Sequence, residues 1–438
     1  MPEANIGTSF GAKKLNGELF ESENEDKINL FPSYAGEEKN NMSYPQAARW
    51  LVALNNYDDT AGKKIAKNRP LPSMGPGWLG RIGVVYVKGG NLFETLMRNL
   101  MFLKDGAKPW EPDVPCWELD DARSGERTEV SCPDNFAALM TMQFRRILLE
   151  REEDRVVRYT VLGGDFFNST NAFAEPMTLW NKKEYKKTGL VSYYPRKHDM
   201  TKQLWREFSA LSGMSGHKPG VIWWNTYLQS QKILLKKEPL QICAVGVEYG
   251  KQSASMKDYY TDELSMELEL LNGLGCKWQN RVDAEVQNCE QAAKIVGHLA
   301  QNLAIAAGNL ALAAGDKKGA AAKSAAGDKK DAAAKSAAQS KFYFRIDQPF
   351  RRWLQSINPE TDDLEEKMAQ WQEQAHRIAK ELGGQMVEQA GTAAFVGRRL
   401  TDRNNKEKSY LYTAPKAYNS FLYELRKLYP KMDEGGTT

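Results

Sequence analysis

Between Thr60 and Arg69 the chain reads TAGKKIAKNR, and the residue types here are those that hold a polyanion. Gly62, in the turn Ala61-Gly62-Lys63-Lys64, leaves the backbone free to take positive φ beside two ammonium groups, and Lys67 and Arg69 follow closely. The turn has neither the earlier glycine nor the Ser or Thr after lysine that a nucleotide-hydrolysing phosphate loop needs to hold magnesium. It is a site for binding a polyanion, not for splitting one.

Other candidate chemistry is sparse. The four histidines, His198, His217, His298 and His376, are scattered, and none stands beside a nucleophile or at metal-ligand spacing. Glu118, Asp120 and Asp121 form an acidic cluster of the kind a two-metal nuclease uses, but no partner motif accompanies them, and a solvated loop is the expectation. Cys116 lies among Pro, Trp and acids, with no cation beside it in sequence to activate a thiol. Neither a metal nor a cofactor is expected.

The C-terminal segment carries a second binding signal. From Phe395 to Lys431 nine basic residues, among them Lys416, Arg426, Lys427 and Lys431, face three acids, with Tyr410, Tyr412, Tyr418, Phe421, Tyr423 and Tyr429 interleaved. Cations mixed with rings serve single-stranded nucleic acid through phosphate attraction and stacking. The same rings at helical spacing also make a helical core with lysines outside, and both arrangements can hold together.

The elements that must position these residues follow from periodicity. Pro45 to Asn56 has helical spacing and delivers the basic turn from its C-terminal end. Ile82 to Lys88 reads as a strand, and Leu92 to Leu103 as an amphipathic helix begun by Asn91. Residues 1 to about 45 read mostly as loop. Ala137 to Glu150, Val156 to Leu162, Lys218 to Trp224 and Gln241 to Tyr249 alternate helix-like and strand-like runs. Beyond residue 260 the pattern turns to long helices at roughly 277–313, 336–356, 360–391 and 412–428. The fold class expected is an α+β N-terminal domain, residues 1–272, followed by an all-α four-helix bundle, residues 273–438. An Ala/Lys-rich insert at 315–338 repeats a twelve-residue unit from Gly315 at Gly327 and offers no apolar stripe to bury, as in a solvated helical extension.

The chain has 438 residues, enough for two domains with their own cores, and its 60 basic and 56 acidic residues leave a formal charge of only +4. Affinity for nucleic acid must therefore come from local patches. Five cysteines without CxxC spacing exclude a zinc knuckle or disulfide framework and fit a reducing compartment. No apolar run of membrane-spanning length and no signal peptide is present, so a cytoplasmic protein is expected, without membrane contact.

Several short segments, taken in order, resemble one family. They are Ile28-Asn29-Leu30-Phe31, Pro45-Gln46-Ala47-Ala48, Asp58-Asp59-Thr60-Ala61-Gly62-Lys63-Lys64 and Gly77-Trp78-Leu79-Gly80. Leu92-Phe93-Glu94-Thr95-Leu96, Pro115-Cys116-Trp117-Glu118, Gln143-Phe144-Arg145-Arg146-Ile147 and Glu175-Pro176-Met177-Thr178-Leu179-Trp180 complete the series. Together they resemble the large subunit of the type I-E CRISPR surveillance complex, the CasA subunit of Cascade. The likeness covers nearly the whole chain; relatives carry a further N-terminal portion, and this sequence reads as starting mid-domain.

The resemblance implies a non-enzymatic reader of a protospacer-adjacent motif in double-stranded DNA. It implies crRNA and other Cascade subunits as partners, with the displaced single strand and a helicase-nuclease effector, and duplex opening toward an R-loop. The family's glycine loop falls on Ala61, Gly62, Lys63 and Lys64. Its lysine finger falls in Leu162 to Asn171, where Asn168 or Asn171 stands in for the absent lysine. Its glutamine-bearing wedge falls near Val221 to Asn225, with Asn225 as the amide and Trp223 or Trp224 as the unstacking body. Phe31 matches the aromatic of its mobile loop, and the basic face with Lys416, Arg426, Lys427 and Lys431 matches the path of the displaced strand. An RNA-holding scaffold and a metal-dependent processing enzyme are the alternatives.

Overall fold

The computed structural model of the chain describes residues 7–12, 14–15, 36–59, 75–104, 108–110, 115–118, 129–235, 239–253, 255–272, 276–308, 321–401 and 409–430, without the side chains of 36–37, 321–331 and 401. The chain divides into two compact units, residues 1–264 and 265–438.

The first unit mixes helix and sheet. In chain order it holds β1 (Thr8–Gly11), α1 (Tyr44–Tyr57), α2 (Trp78–Arg81), β2 (Val84–Lys88), α3 (Leu92–Asn99), β3 (Leu103–Lys104) and β4 (Lys108–Pro109). There follow α4 (Phe136–Thr141), β5 (Arg145–Glu152), β6 (Arg155–Gly163), β7 (Leu179–Tyr185), β8 (Leu190–Arg196), α5 (Phe208–Ser212), α6 (Gly220–Ser230), β9 (Leu240–Tyr249) and β10 (Met256–Met266). One sheet has the order β1-β6-β5, another β10-β9-β2, and β7 pairs with β8.

Local chemistry explains most of these elements. Helix α1 starts where the Gln46 side chain reaches back to accept from the Ser43 N–H at 2.8 Å. Helix α3 starts at Asn91, whose Oδ1 accepts from Glu94 N at 2.9 Å. The helix stops at Asn99 rather than Leu103, because the Asn99 amide bonds both backbone groups of Val87 and so ties the helix end to β2. Its apolar side does not turn inward: Leu92 and Phe93 are 74% and 69% exposed.

Residues 1 to 45, expected mostly as loop, include a short strand, β1, antiparallel to β6 with Thr8 opposite Val161; four residues are too short a run to show alternation. Residues 137–150 split into α4 and β5, as their mixed pattern allowed. The run Lys218 to Trp224 is not strand-like but helical from Gly220, because Pro219 starts the helix and its Val221, Ile222, Trp224 and Leu228 are all buried.

The second unit comprises α7 (Cys276–Ala306), α8 (Ala321–Gln355), α9 (Leu364–Glu388), α10 (Gly391–Val396), β11 (Arg398–Thr401), β12 (Ser409–Tyr412) and α11 (Ala414–Leu428). Helix α7 packs on α8, α9 and α11. The Trp371 ring is fully buried, edge-on to Phe350 at 4.9 Å and stacked on Trp353 at 5.1 Å. Gly383 is required by close approach, since a Cβ there would meet Phe421 Cε1 at 2.5 Å. The β11–β12 hairpin, with Arg398 opposite Tyr412, is an addition to the expected helices; its strands are too short to announce themselves. Helix α8 begins at Ala321, earlier than expected, so the second Ala/Lys unit is helical rather than only flanking. It is not wholly solvated: Ala338 is buried, and the stems of Lys335 and Gln339 pack over Gly297.

Replacing Trp371 by Ala removes the ring that fills this core, and the expected loss is about 3–5 kcal/mol. Denaturant unfolding followed by the fluorescence of the remaining tryptophans checks it.

Candidate nucleic-acid interface

The expected DNA-reading turn, Ala61 to Lys64, lies outside the described residues, as do Phe31 and Lys431. Its anchorage does not. The chain leaves α1 through Asp58 and Asp59 and returns at Gly75, and one buried guanidinium holds both sides. Arg145 Nη2 donates to the carbonyl oxygens of Asp58 (2.9 Å), Asp59 (3.3 Å) and Gly75 (2.7 Å), while Nη1 donates to Phe144 O (3.0 Å). The Asp58 carboxylate lies 3.6 Å from Arg145 Nε. Burial lowers the Arg145 pKa and the charges of Asp58 and Asp59 pull it back up. The planar five-donor fork spans several acceptors at once, which a lysine ammonium cannot match.

The surrounding residues fix this clamp. Asn55 on α1 accepts from Arg145 N at 3.1 Å and donates to Met142 O at 2.9 Å, locking the helix to the start of β5. Gly77 sits against the end of α1, where a Cβ would meet the Asn56 carbonyl carbon at 2.3 Å. Next to it, Trp78 stacks on Phe144 at 5.8 Å and donates Nε1–H to Glu175 Oε2 at 2.6 Å. The other Glu175 oxygen accepts from Met177 N at 2.8 Å. Burial pushes the Glu175 carboxyl up to about 7, against these two hydrogen bonds, which lower it.

Tyr249, the last residue of β9, donates its hydroxyl to Tyr57 O at 2.5 Å, so β9 ends at the base of the same segment. Three residues on, Gln252 is exposed with φ 56° and ψ 20°, in the short connection between the adjacent strands β9 and β10, closed by Gly250 N to Ser255 O at 2.8 Å. A non-glycine residue in the left-handed region is uncommon and marks a sharply turned tip. Sequence reasoning missed this residue; the signal available was an amide in the Gly- and Ser-flanked break GKQSAS between two β-rich runs.

The residues expected to form the wedge are placed differently. Trp224 is 4% exposed and donates Nε1–H to Met97 O at 3.0 Å. Asn225 is 0% exposed, and its amide nitrogen donates to Arg98 O and Val221 O at 2.9 and 2.8 Å. Both tie α6 to α3 inside the unit, so neither presents a surface for a base step. Trp223, half-buried, stacks on Tyr227 at 5.7 Å. The finger substitutes are also engaged: Asn168 Oδ1 accepts from Thr170 N at 3.0 Å, and Asn171 Oδ1 from Tyr193 N at 2.8 Å.

In the second unit the aromatics of the C-terminal segment divide. Phe421 and Tyr429 are buried, whereas Tyr410 and Tyr423 are exposed with Lys416 Nζ 4.9 Å and Lys427 Nζ 4.3 Å from their ring centres. Lys427 also pairs with Glu424 at 3.8 Å, and Arg426 shares its exposed last helical turn. Among the described residues no group of His, Cys, Asp or Glu is placed to hold a metal, the cysteines are free thiols, and no helix is long and apolar enough to cross a membrane. Asp120 and Asp121 lie outside the described residues.

The mixed helix-and-sheet fold matches that of solved Cse1 structures. The chain is similar to Thermobifida fusca Cse1 (27% identity, 91% of this chain and 73% of that one, TM-score 0.69) and to Cse1 from Acidimicrobium ferrooxidans (24% identity, 100% and 78%, TM-score 0.71). It also shares the fold of a chain in a CRISPR RNA-guided surveillance complex (15% identity, 97% and 76%, TM-score 0.60). No curated protein matches it in sequence. The family model for CRISPR-associated protein Cse1 matches residues 6–382, and the chain belongs to that family, also called CasA.

Two outcomes follow from the clamp. Arg145→Met leaves Asp58 buried without its countercharge and withdraws a donor from four carbonyls, so the first unit is expected to lose about 3–5 kcal/mol in denaturant unfolding, with Arg145→Lys restoring less than half. For Glu175 the folded pKa of about 7 exceeds the ordinary 4.5, so the native state holds a proton the unfolded state lacks between those values. Stability therefore falls by about 3 kcal/mol as pH rises from about 4.5 to 7 on account of this group. Glu175→Gln is expected to flatten that part of the stability–pH curve, measured by urea unfolding at each pH.

Proposed function

We propose that this chain is the non-catalytic large subunit of a type I-E Cascade complex, working in the cytoplasm with crRNA and the other subunits. In this reading the α+β domain recognises the protospacer-adjacent motif in double-stranded DNA and starts strand separation. The helical domain, a four-helix bundle, lies along the displaced single strand, and the assembly recruits the helicase-nuclease that degrades the target. Family membership supports the assembly, and one geometric observation carries the DNA-reading role. The segment containing Ala61, Gly62, Lys63 and Lys64 and the turn bearing Gln252 spring from one rigid base, joined by the Tyr249–Tyr57 hydrogen bond and the Arg145 clamp.

The division of labour is then physical. Gly62 lets the backbone approach the minor groove, whose acceptor pattern is degenerate, so discrimination among motifs is modest. Lys63 and Lys64 supply phosphate attraction. Gln252, not Asn225, is the amide wedge, because it stands exposed on a turned tip while Asn225 is sealed in the core. Insertion at one base step costs unstacking energy, offset by phosphate contacts and by RNA pairing. Lys416 and Lys427, over exposed Tyr410 and Tyr423, together with Arg426 and, by sequence, Lys431, are suited to a single strand by charge and stacking.

The test is gel-shift titration of the assembled complex with duplexes that differ only beside the protospacer. Gly62→Asp is expected to abolish motif preference. Gln252→Ala is expected to slow strand opening, read by permanganate reactivity of unpaired thymines, about 5- to 100-fold for a contact of this kind, with initial binding retained. Unchanged motif preference in Gly62→Asp overturns the reading.

A further inference from the structure

A lysine outside every segment considered so far stands at the base of the DNA-reading loop. Lys197 directly follows β8, and its backbone is clamped on both sides: Gly83 N donates to Arg196 O at 2.9 Å, and the His198 ring bonds Val84 O at 2.9 Å. The side chain is directed at the loop base. Lys197 Nζ lies 5.0 Å from the ring centre of Tyr249, the tyrosine whose hydroxyl holds Tyr57 at the end of α1. The other margin of the segment carries a second cation. Arg81 donates Nε–H to Pro76 O at 2.8 Å, and its Nη2 lies 3.2 Å from where a Cβ on Gly75 would stand.

Several cations of this unit are balanced by carboxylates: Arg196 pairs with Glu207, Arg146 with Asp165 at 2.7 Å, and Lys88 with Glu263 at 3.1 Å. Among the described residues no carboxylate comes within 4.0 Å of the Lys197 ammonium. Burial, and then the charge of Arg81, lower its pKa. Lys197 is nonetheless exposed, so its ammonium is open to an incoming anion, and the like charge of Arg81 repels it in the free protein. An anion arriving from outside relieves that repulsion, and the ring of Tyr249 holds the ammonium in place for it without neutralising it.

We propose that Lys197, supported by Arg81, is a binding site for a backbone phosphate of the target duplex, next to the base step that the loop and Gln252 address. The contact fixes the register of the duplex and carries no sequence information. This inference rests on the DNA-reading role proposed above and adds to it a residue that positions the duplex.

The test uses the full assembled complex with wild-type chain, Lys197→Gln and Lys197→Arg. Each is titrated between about 50 and 200 mM salt against duplexes bearing a preferred or a rejected adjacent motif, drawn from a randomised library. Loss of one phosphate contact is expected to reduce the slope of log affinity against log salt by about 0.9 in Lys197→Gln, equally for both duplexes, whereas Lys197→Arg keeps the wild-type slope. An unchanged slope in Lys197→Gln, or a loss confined to the preferred motif, overturns the inference. Gly62→Asp run in parallel separates the two claims. Motif preference that survives it while the Lys197→Gln slope still falls overturns the loop's role and leaves the phosphate contact standing.

Discussion

A single buried guanidinium gathers the carbonyl groups on both sides of a fifteen-residue excursion, residues 60–74, and much of the first unit is arranged to keep it there. Burying a charge of this kind costs several kcal/mol unless its donors are satisfied, and hydrogen bonds to charged groups return about 1.5–3 kcal/mol each. Arg145 meets that condition at its two terminal nitrogens, which donate to four carbonyls, while Nε makes no hydrogen bond and lies 3.6 Å from the Asp58 carboxylate. The result is that the chain on either side of residues 60–74, at Asp58, Asp59 and Gly75, is held to one side chain.

The constraint propagates outward through packing. Asn55 ties α1 to β5, Trp78 ties the returning strand to Phe144, and Glu175 fixes Trp78 from below. Tyr249 brings β9 to the same place, so two projections from distant parts of the sequence share one base. The function proposed above draws on this shared base. Rigid elements hold such geometry better than loops do.

The second unit shows a different economy. Its core rests on aromatic stacking around Trp371 and on glycines that admit neighbouring rings, and it leaves exposed tyrosines topped by lysines. Phe421 and Tyr429 serve the core, while Tyr410 and Tyr423 stay at the surface with lysines over their rings.

Composition, motif order and periodicity determined a good deal: the family, the long helices, the capped starts of α1 and α3, and the absence of catalytic spacing. These are local properties, carried by residues within a few positions of one another. Tertiary structure decided the rest. It alone showed that Trp224 and Asn225 belong to a buried helix, since a short apolar run packs equally well as strand or helix until its neighbours are known. It alone singled out Gln252 by its exposed left-handed backbone, and Arg145, Tyr249 and Lys197 by partners that lie from dozens to nearly two hundred residues away in the chain. Charge and hydrogen bonding act through space, and sequence spacing measures only the distance along the chain.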